Sequence, residues 1–185
     1  MIDVSAGSPV VDVPKVFLVC GAGRSATSQI AKHLHDGGLP MGDNLMAPSP
    51  ANPHGYYEDM AAVSLNGRIL GAHQVTWSTV EEPLPVEHLE WVERLRDYIH
   101  QRMAAAHDGP WGVKDPRITM TIAYWLEALA GYDVEPVVVG CIRDTDAVAR
   151  SLQRSERMDR LWALTVTHHY QQALAGIAGW ARLRT

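Results

Sequence analysis

One arginine and three hydroxyl side chains follow directly after a short apolar run near the start of the chain. The run, KVFLVC at residues 15–20, leads into a Gly-Ala-Gly turn and then into these four residues: Arg24, Ser25, Thr27 and Ser28. A loop between a strand and a helix presents unpaired backbone N–H groups, which attract an anion. Arginine adds a forked cationic donor that matches phosphate or sulfate oxygens. We therefore expect this loop to bind a phosphate or sulfate group.

Three other interpretations of this loop compete. A Walker A loop needs glycine followed by lysine and a hydroxyl, but Ala26, Thr27 and Ser28 stand at those positions, so a usual kinase or ATPase is disfavoured. A dinucleotide loop needs G-x-G-x-x-G/A, which Gly21, Gly23 and Ala26 satisfy, and it also needs a second strand that ends in an acid about 20 residues on. Asp43 stands near that distance, but the segment GGLPMGDNL around it is a poor strand. The third alternative is a glycine turn with a surface arginine.

The elements that must position this loop alternate between strands and helices. Strands are predicted at 15–20, 110–114 and 134–142, and helices at about 25–36, 60–73, 86–107, 118–129, 144–156 and 160–183. Such alternation favours an α/β fold with a central parallel sheet covered on both faces, a three-layer sandwich. Two loops, 39–57 and 74–85, are left to shape a ligand pocket.

Parallel sheets bind ligands at the carboxyl ends of their strands. Besides the first loop, two predicted strands end there with a cation: Lys114 follows an apolar segment, and Arg143 follows the strand at 134–142. We expect these two cations to lie close to Arg24, although Lys114 read alone fits a solvated strand end equally well.

The first loop resembles the 5′-phosphosulfate loop of sulfotransferases that use 3′-phosphoadenosine-5′-phosphosulfate (PAPS). Many bacterial members carry Arg-Ser-Gly-Thr-Ser where this chain has residues 24–28, and only the glycine is changed, to Ala26. The resemblance implies that the 5′-phosphosulfate is held by the following residues: Gly23, Arg24, Ser25, Ala26, Thr27 and Ser28.

A second segment is similar to the part of the same family that holds the 3′-phosphate. The family pattern is an apolar strand, an arginine, Asp/Asn-Pro, and a serine eight residues after the arginine. Here VVVGCIRDTDAVARSLQRSE supplies Arg143 and Ser151, with Thr145 in place of the proline. The resemblance therefore implies PAPS as cofactor, adenosine 3′,5′-bisphosphate as product, and Arg143 and Ser151 as 3′-phosphate ligands.

Two further segments resemble the family around its reaction centre. WGVKDPRI matches the strand that delivers a lysine, which implies that Lys114 stabilises the leaving group. NPHGYYED matches the loop beside the acceptor, which makes Glu58 the candidate general base and His54 a reserve. Glu58 read alone fits equally well as a helix-start charge beside Asp59.

The ordered set of matches implies a P-loop NTPase-like sulfotransferase fold and a sulfotransferase activity toward a hydroxyl or amine of a small-molecule or carbohydrate acceptor. We expect one domain over residues 1–185, with 1–14 as a flexible lead-in. Because family members usually continue past the last helix, we also expect their closing segment to be absent. A nucleotide kinase or phosphotransferase, and a non-catalytic nucleotide-binding relative, are the alternatives.

Composition and net charge limit the classes of protein to which this chain can belong. Hydrophobic residues make up 46% and charged residues 20%, as in globular proteins, and the net charge of −5 gives no general attraction to nucleic acid or anionic membranes. Neither a signal peptide nor a membrane-spanning run is apparent, so a cytoplasmic protein is expected. Cys20 and Cys141 lie in apolar runs and are predicted to be buried, reduced thiols. We predict no metal site.

Overall fold

A three-stranded parallel sheet lies at the centre of the protein. The computed structural model describes residues 13–182, with side chains up to residue 177, so residues 1–12 of the predicted lead-in lie outside it. The strands are β1 (Lys15–Gly21), β2 (Trp111–Lys114) and β3 (Glu135–Cys141), in the order β2-β1-β3. Six helices accompany them within the described range: α1 (Thr27–Asp36), α2 (Met60–Ala72), α3 (Leu89–Ala105), α4 (Ile118–Leu129), α5 (Thr145–Glu156) and α6 (Arg160–Arg182).

The central strand β1 buries both of its faces. Val16, Leu18 and Cys20 belong to the main core, to which α2 to α6 contribute, and α4 and α6 pack against β1. Val19 lies in a second, smaller core with Ala31 of α1. This period-two alternation between opposite faces is what a doubly covered strand requires. The predicted α/β fold with a parallel sheet is therefore confirmed.

The two edges of the sheet differ. All four residues of β2 are buried, and the Gly112 N–H donates to the Pro40 carbonyl oxygen at 2.9 Å, so the loop after α1 covers this edge. By contrast, β3 pairs with β1 alone among the described residues, and Val137 to Val139 are half-buried. Among the described strands, the one with three consecutive valines thus lies at an edge rather than at the centre of the sheet.

Helix α2 carries a polar residue in the core. The sequence predicts a weak helix interior at Asn66-Gly67, but α2 is continuous and Asn66 is fully buried. Its amide donates to Asp115 Oδ2 at 2.8 Å, and its carbonyl oxygen accepts from Thr121 at 2.7 Å and from Trp125 at 2.9 Å. A buried amide with these partners carries no desolvation penalty that would break the helix.

The other helices follow their predicted periodicity with small differences at the ends. Helix α3 spans Leu89–Ala105 rather than 86–107, and it buries Val92, Leu95 and Ile99, whereas Leu89 is 66% exposed.

Cys20 and Cys141 are buried free thiols, as predicted. Between residues 13 and 182, no helix combines the length and the apolarity needed to cross a bilayer.

Candidate functional site

The carboxyl ends of the three strands bring three cations together. Lys114, the last residue of β2, places Nζ 3.2 Å from the Oγ of Ser28 at the start of α1. Arg143, two residues after β3, donates from Nη1 to the backbone carbonyl oxygen of Arg24 at 3.3 Å. The loops after all three strands therefore meet at one edge of the sheet.

The loop after β1 has an unusual backbone. Arg24 and Ala26 adopt left-handed φ angles of 70° and 68°, in the region that favours glycine. Gly21, at φ 138°, packs so closely on β3 that an added Cβ would lie 2.4 Å from the Cys141 carbonyl oxygen. Ala26 directly precedes α1 and has no side-chain oxygen to cap it. The first N–H groups of α1 thus receive no side-chain cap from this position, which suits an anion.

A small cationic cavity of about 150 Å³ lies between this loop and α5. Its lining residues are Arg24, Ala26, Thr27, Ser28, Gln29, Asn52, Arg143 and Ser151. Arg24 Nε donates to Ser151 Oγ at 3.0 Å, so the guanidinium groups that follow β1 and β3 border one space. Two arginines and several hydroxyl groups in a small cavity can bind a phosphate-sized anion.

A larger cavity of about 380 Å³ adjoins the same loop. One part of its lining is polar and comprises Gly23, Arg24, Thr27, Ser28, Asn52, Glu58, Lys114, Asp115, Arg117 and Glu156. The remainder is apolar or aromatic and comprises Met46, Ala51, Tyr56, Trp77, Pro116, Leu152 and Tyr170. The cavity therefore combines charged groups that can act on a reacting atom with an apolar surface that can hold an organic ligand.

Lys114 and Glu58 form a buried ion pair in this cavity. Lys114 Nζ lies 2.5 Å from Glu58 Oε1, and the two side chains are only 1% and 8% exposed. Burial raises the pKa of the Glu58 carboxyl above its usual value, and the Lys114 charge opposes that rise. The helix-start role belongs to Asp59, which accepts from the Ala61 N–H at 2.9 Å. Glu58 is thus positioned for the cavity rather than for the helix.

Arg117 contacts the second carboxylate oxygen of Glu58. Its Nη2 lies 3.5 Å from Glu58 Oε2, and its Nε donates to Asp115 Oδ1 at 2.8 Å. Asp115 is fully buried and also accepts from Asn66, which ties the turn after β2 to α2. Arg117 thus pairs with two acids, Asp115 and Glu58, at the edge of the larger cavity.

The predicted site residues divide between the two cavities. Gly23, Glu58 and Lys114 line the larger one, and Ala26, Arg143 and Ser151 line the smaller one, whereas Arg24, Thr27 and Ser28 line both. Ser25 lines neither: it is 2% exposed, and its hydroxyl has no hydrogen-bond partner among the described residues. His54 is exposed and lines neither cavity.

Two residues of the site escaped the sequence analysis. Asn52 lines both cavities and donates to Ser28 Oγ at 3.1 Å, and its signal was its place in the NPHGYYED segment. Gln171 of α6 donates from Nε2 to the Arg143 carbonyl oxygen at 2.7 Å, and its Oε1 accepts from Thr145 at 2.8 Å. No local pattern indicates this role for Gln171, because its partners lie just before α5 and at its first residue, far from Gln171 in the sequence.

A separate group of titratable residues lies between α2 and α3. His73 directly follows α2, and Glu87 and His88 directly precede α3. His73 Nδ1 lies 3.9 Å from Glu87 Oε2, and the rings of His73 and His88 have centroids 4.9 Å apart. Burial, and next the charge of His88, lower the pKa of His73. No local pattern in the sequence indicates this group, because His73 lies far along the chain from Glu87 and His88.

Comparison of the chain with protein-family models and with curated proteins gives no match.

Proposed function

We propose that this protein is a PAPS-dependent sulfotransferase with a P-loop NTPase-like sulfotransferase fold. The observation that carries the proposal is the meeting of Arg24 and Arg143, from two different strand ends, at one small cavity. PAPS carries a phosphosulfate at its 5′ end and a phosphate at its 3′ end. A protein that binds both needs two cationic positions within the span of one nucleotide.

The two ends of the cofactor fit different parts of the site. The 5′-phosphosulfate would lie against the loop after β1, where Thr27, Ser28 and the N–H groups of α1 offer donors beside the open face of Gly23. The 3′-phosphate would be held by Arg143 and Ser151. Because Arg24 already donates to Ser151, the two anion positions are linked by a direct side-chain contact.

The reaction assigns a role to each member of the buried ion pair. The acceptor oxygen or nitrogen attacks sulfur, the bond between sulfur and the bridging oxygen breaks, and adenosine 3′,5′-bisphosphate leaves with the electron pair. Glu58 takes the acceptor proton, and Lys114 donates a hydrogen bond to the bridging oxygen as negative charge grows there. Lys114 reaches both Ser28 and Glu58, so one ammonium group lies between the loop and the base.

Arg117 explains how Glu58 remains oriented when Lys114 turns toward the cofactor. Its Nη2 is a second cationic partner, 3.5 Å from Glu58 Oε2. Asp115 in turn holds Arg117 in place. The apolar surface formed by Met46, Tyr56 and Trp77 would receive the body of the acceptor, since these residues come from the two loops predicted to shape a pocket.

Isothermal titration with adenosine 3′,5′-bisphosphate tests the cofactor assignment. The wild-type protein should bind it, and Arg143→Ala should weaken binding at least ~10-fold, because a charge-assisted hydrogen bond is worth ~1.5–3 kcal/mol. Arg154→Ala, which removes an exposed arginine of α5 that lines neither cavity, is the matched control and should bind normally. No binding by a folded protein, unchanged binding by Arg143→Ala, or a preference for Mg-ATP would refute the proposal.

Turnover tests the base. With PAPS and a panel of phenolic, alcohol, amine and carbohydrate acceptors, Glu58→Gln should abolish sulfuryl transfer while leaving bisphosphate binding intact. A Gln variant with normal turnover would remove Glu58 from the mechanism but leave the cofactor assignment standing. Cofactor-product binding by the wild type without transfer to any acceptor would instead indicate a non-catalytic relative.

A further inference from the structure

Two histidines and a glutamate converge at the junction of α2 and α3. One potential ligand atom from each of His73, Glu87 and His88 lies within 4.8 Å of the others. The three residues reach this point from the two ends of segment 73–88, which separates α2 from α3. None of them lines either cavity of the candidate site, so they have no role in the proposed reaction.

We propose that His73, Glu87 and His88 form a zinc site that ties the end of α2 to the start of α3. Two imidazoles and one carboxylate make up a donor set that Zn²⁺ accepts readily, with water as the fourth ligand. Zinc bonds of ~2.0–2.1 Å in tetrahedral geometry place neighbouring ligand atoms ~3.3 Å apart. His73 Nδ1 and Glu87 Oε2, at 3.9 Å, need only a small side-chain rotation to reach that spacing.

Tyr124 orients this group. Its hydroxyl lies 2.8 Å from His73 Nε2 and 3.2 Å from the backbone nitrogens of both Glu87 and His88. Because Nε2 faces the hydroxyl, Nδ1 is the nitrogen left to face Glu87. When a metal binds Nδ1, Nε2 stays protonated and donates a hydrogen bond to the phenolic oxygen of Tyr124. The backbone N–H groups of Glu87 and His88 then share the other lone pair of that oxygen. Metal-bound histidines commonly have such an outer partner.

The surroundings of Glu87 and His88 also suit the binding of a metal ion. His88 Nδ1 lies 3.7 Å from Glu90 Oε1, so a carboxylate is available to orient the second ring. The side chain of His73 is 9% exposed, that of His88 35% and that of Glu87 63%. The group therefore has a buried inner side and an open outer side, which gives an ion a path in and leaves room for a water ligand.

Cobalt substitution tests the site directly in the full chain, produced without a histidine tag. Titration with Co²⁺ should give the visible absorption of a four- or five-coordinate ion at one equivalent per chain, and Zn²⁺ should displace it. His88→Ala and Glu87→Gln should each lower the Co²⁺ affinity at least ~10-fold. Tyr124→Phe keeps all three ligands but loses the outer partner, and it should lower the affinity ~10- to 100-fold.

His100→Ala, an exposed histidine on α3, is the matched control and should bind Co²⁺ like the wild type. His73 is nearly buried, so its alanine variant can fail to fold, but Glu87→Gln and His88→Ala change exposed or half-exposed side chains and keep the test decisive. The spectrum of six-coordinate aqueous Co²⁺, a thiolate charge-transfer band, or equal affinities for His88→Ala and His100→Ala would each overturn the proposal.

Discussion

The guanidinium of Arg143 donates a hydrogen bond to the backbone carbonyl oxygen of Arg24 across 3.3 Å, and 119 positions separate the two residues in the sequence. The contact joins the loops that follow β1 and β3. Arg24 then reaches Ser151 on α5, eight residues beyond Arg143. A small movement of either loop therefore changes the shape of the cationic cavity that they share.

Gln171 is expected to position Arg143 for the 3′-phosphate. Gln171→Met keeps the size of the side chain but removes its hydrogen bonds to the Arg143 carbonyl and to Thr145. Since each such bond is worth ~1 kcal/mol, binding of adenosine 3′,5′-bisphosphate should weaken ~5- to 30-fold in calorimetry. Binding of adenosine 5′-monophosphate should not change.

The neighbouring residue provides the control for this prediction. Gln172 is exposed and contacts His168 rather than the loop after β3, so Gln172→Met should bind both nucleotides normally. An equal loss for both nucleotides in Gln171→Met would mean that the residue supports the fold in general and not the 3′-phosphate position.

Gly23 is expected to be required by a ligand rather than by the fold. An added Cβ at Gly23 meets nothing within 4 Å, yet the residue lines the larger cavity. Gly23→Ala should therefore leave the melting temperature nearly unchanged and weaken bisphosphate binding at least ~10-fold, because the methyl group occupies the space of the anion. Gly67→Ala on α2 also has open space around it and should bind normally. Normal binding by Gly23→Ala would contradict the placement of the anion.

Ala26 stores backbone strain at the start of α1. At φ 68° an L-residue costs ~1–2 kcal/mol, whereas glycine costs ~0.5–1 kcal/mol through the entropy of the unfolded chain. Ala26→Gly should thus raise the free energy of unfolding by about 0.5–1 kcal/mol in urea denaturation. The same substitution at exposed Ala175, in the interior of α6, should lower it by about 1 kcal/mol. A loss of stability in both variants would show that Ala26 is not strained.

We expect removal of one of the two charges of the Lys114–Glu58 pair to lower the stability of the protein. Lys114→Met leaves a buried carboxylate with only the longer contact to Arg117, and it should lower the free energy of unfolding by about 3 kcal/mol. The double variant Lys114→Met/Glu58→Gln removes both charges and should recover most of that loss.

A surface pair with the same nitrogen–oxygen distance is the control. Lys32 and Asp36 are also 2.5 Å apart, but their side chains are 44% and 55% exposed, so Lys32→Met should have little measurable effect on unfolding. Equal effects of the two lysine substitutions, or a double variant at the Lys114–Glu58 pair as unstable as Lys114→Met alone, would show that burial does not control the strength of this pair.

The order of strands and helices could be predicted from local pattern alone. Apolar runs bounded by glycine and apolar residues at helical spacing reflect interactions within a few residues, and the structure reproduces these elements with differences of a few residues at their ends. The convergence of Arg24, Lys114 and Arg143 was also predictable, because parallel strands end at the same edge of a sheet.

The pairing of particular side chains depended on the tertiary structure. Four contacts join residues that lie far apart in the sequence or at the ends of different helices. They are the salt bridge from Lys114 to Glu58, the hydrogen bond from Asn66 to Asp115, the hydrogen bond from Gln171 to the Arg143 carbonyl oxygen, and the group around His73. Periodicity tells which face of a helix is apolar, but not which helix packs beside it or at what rotation. The residue types of the site were therefore set by the sequence, and their partners by the packing of helices on the sheet.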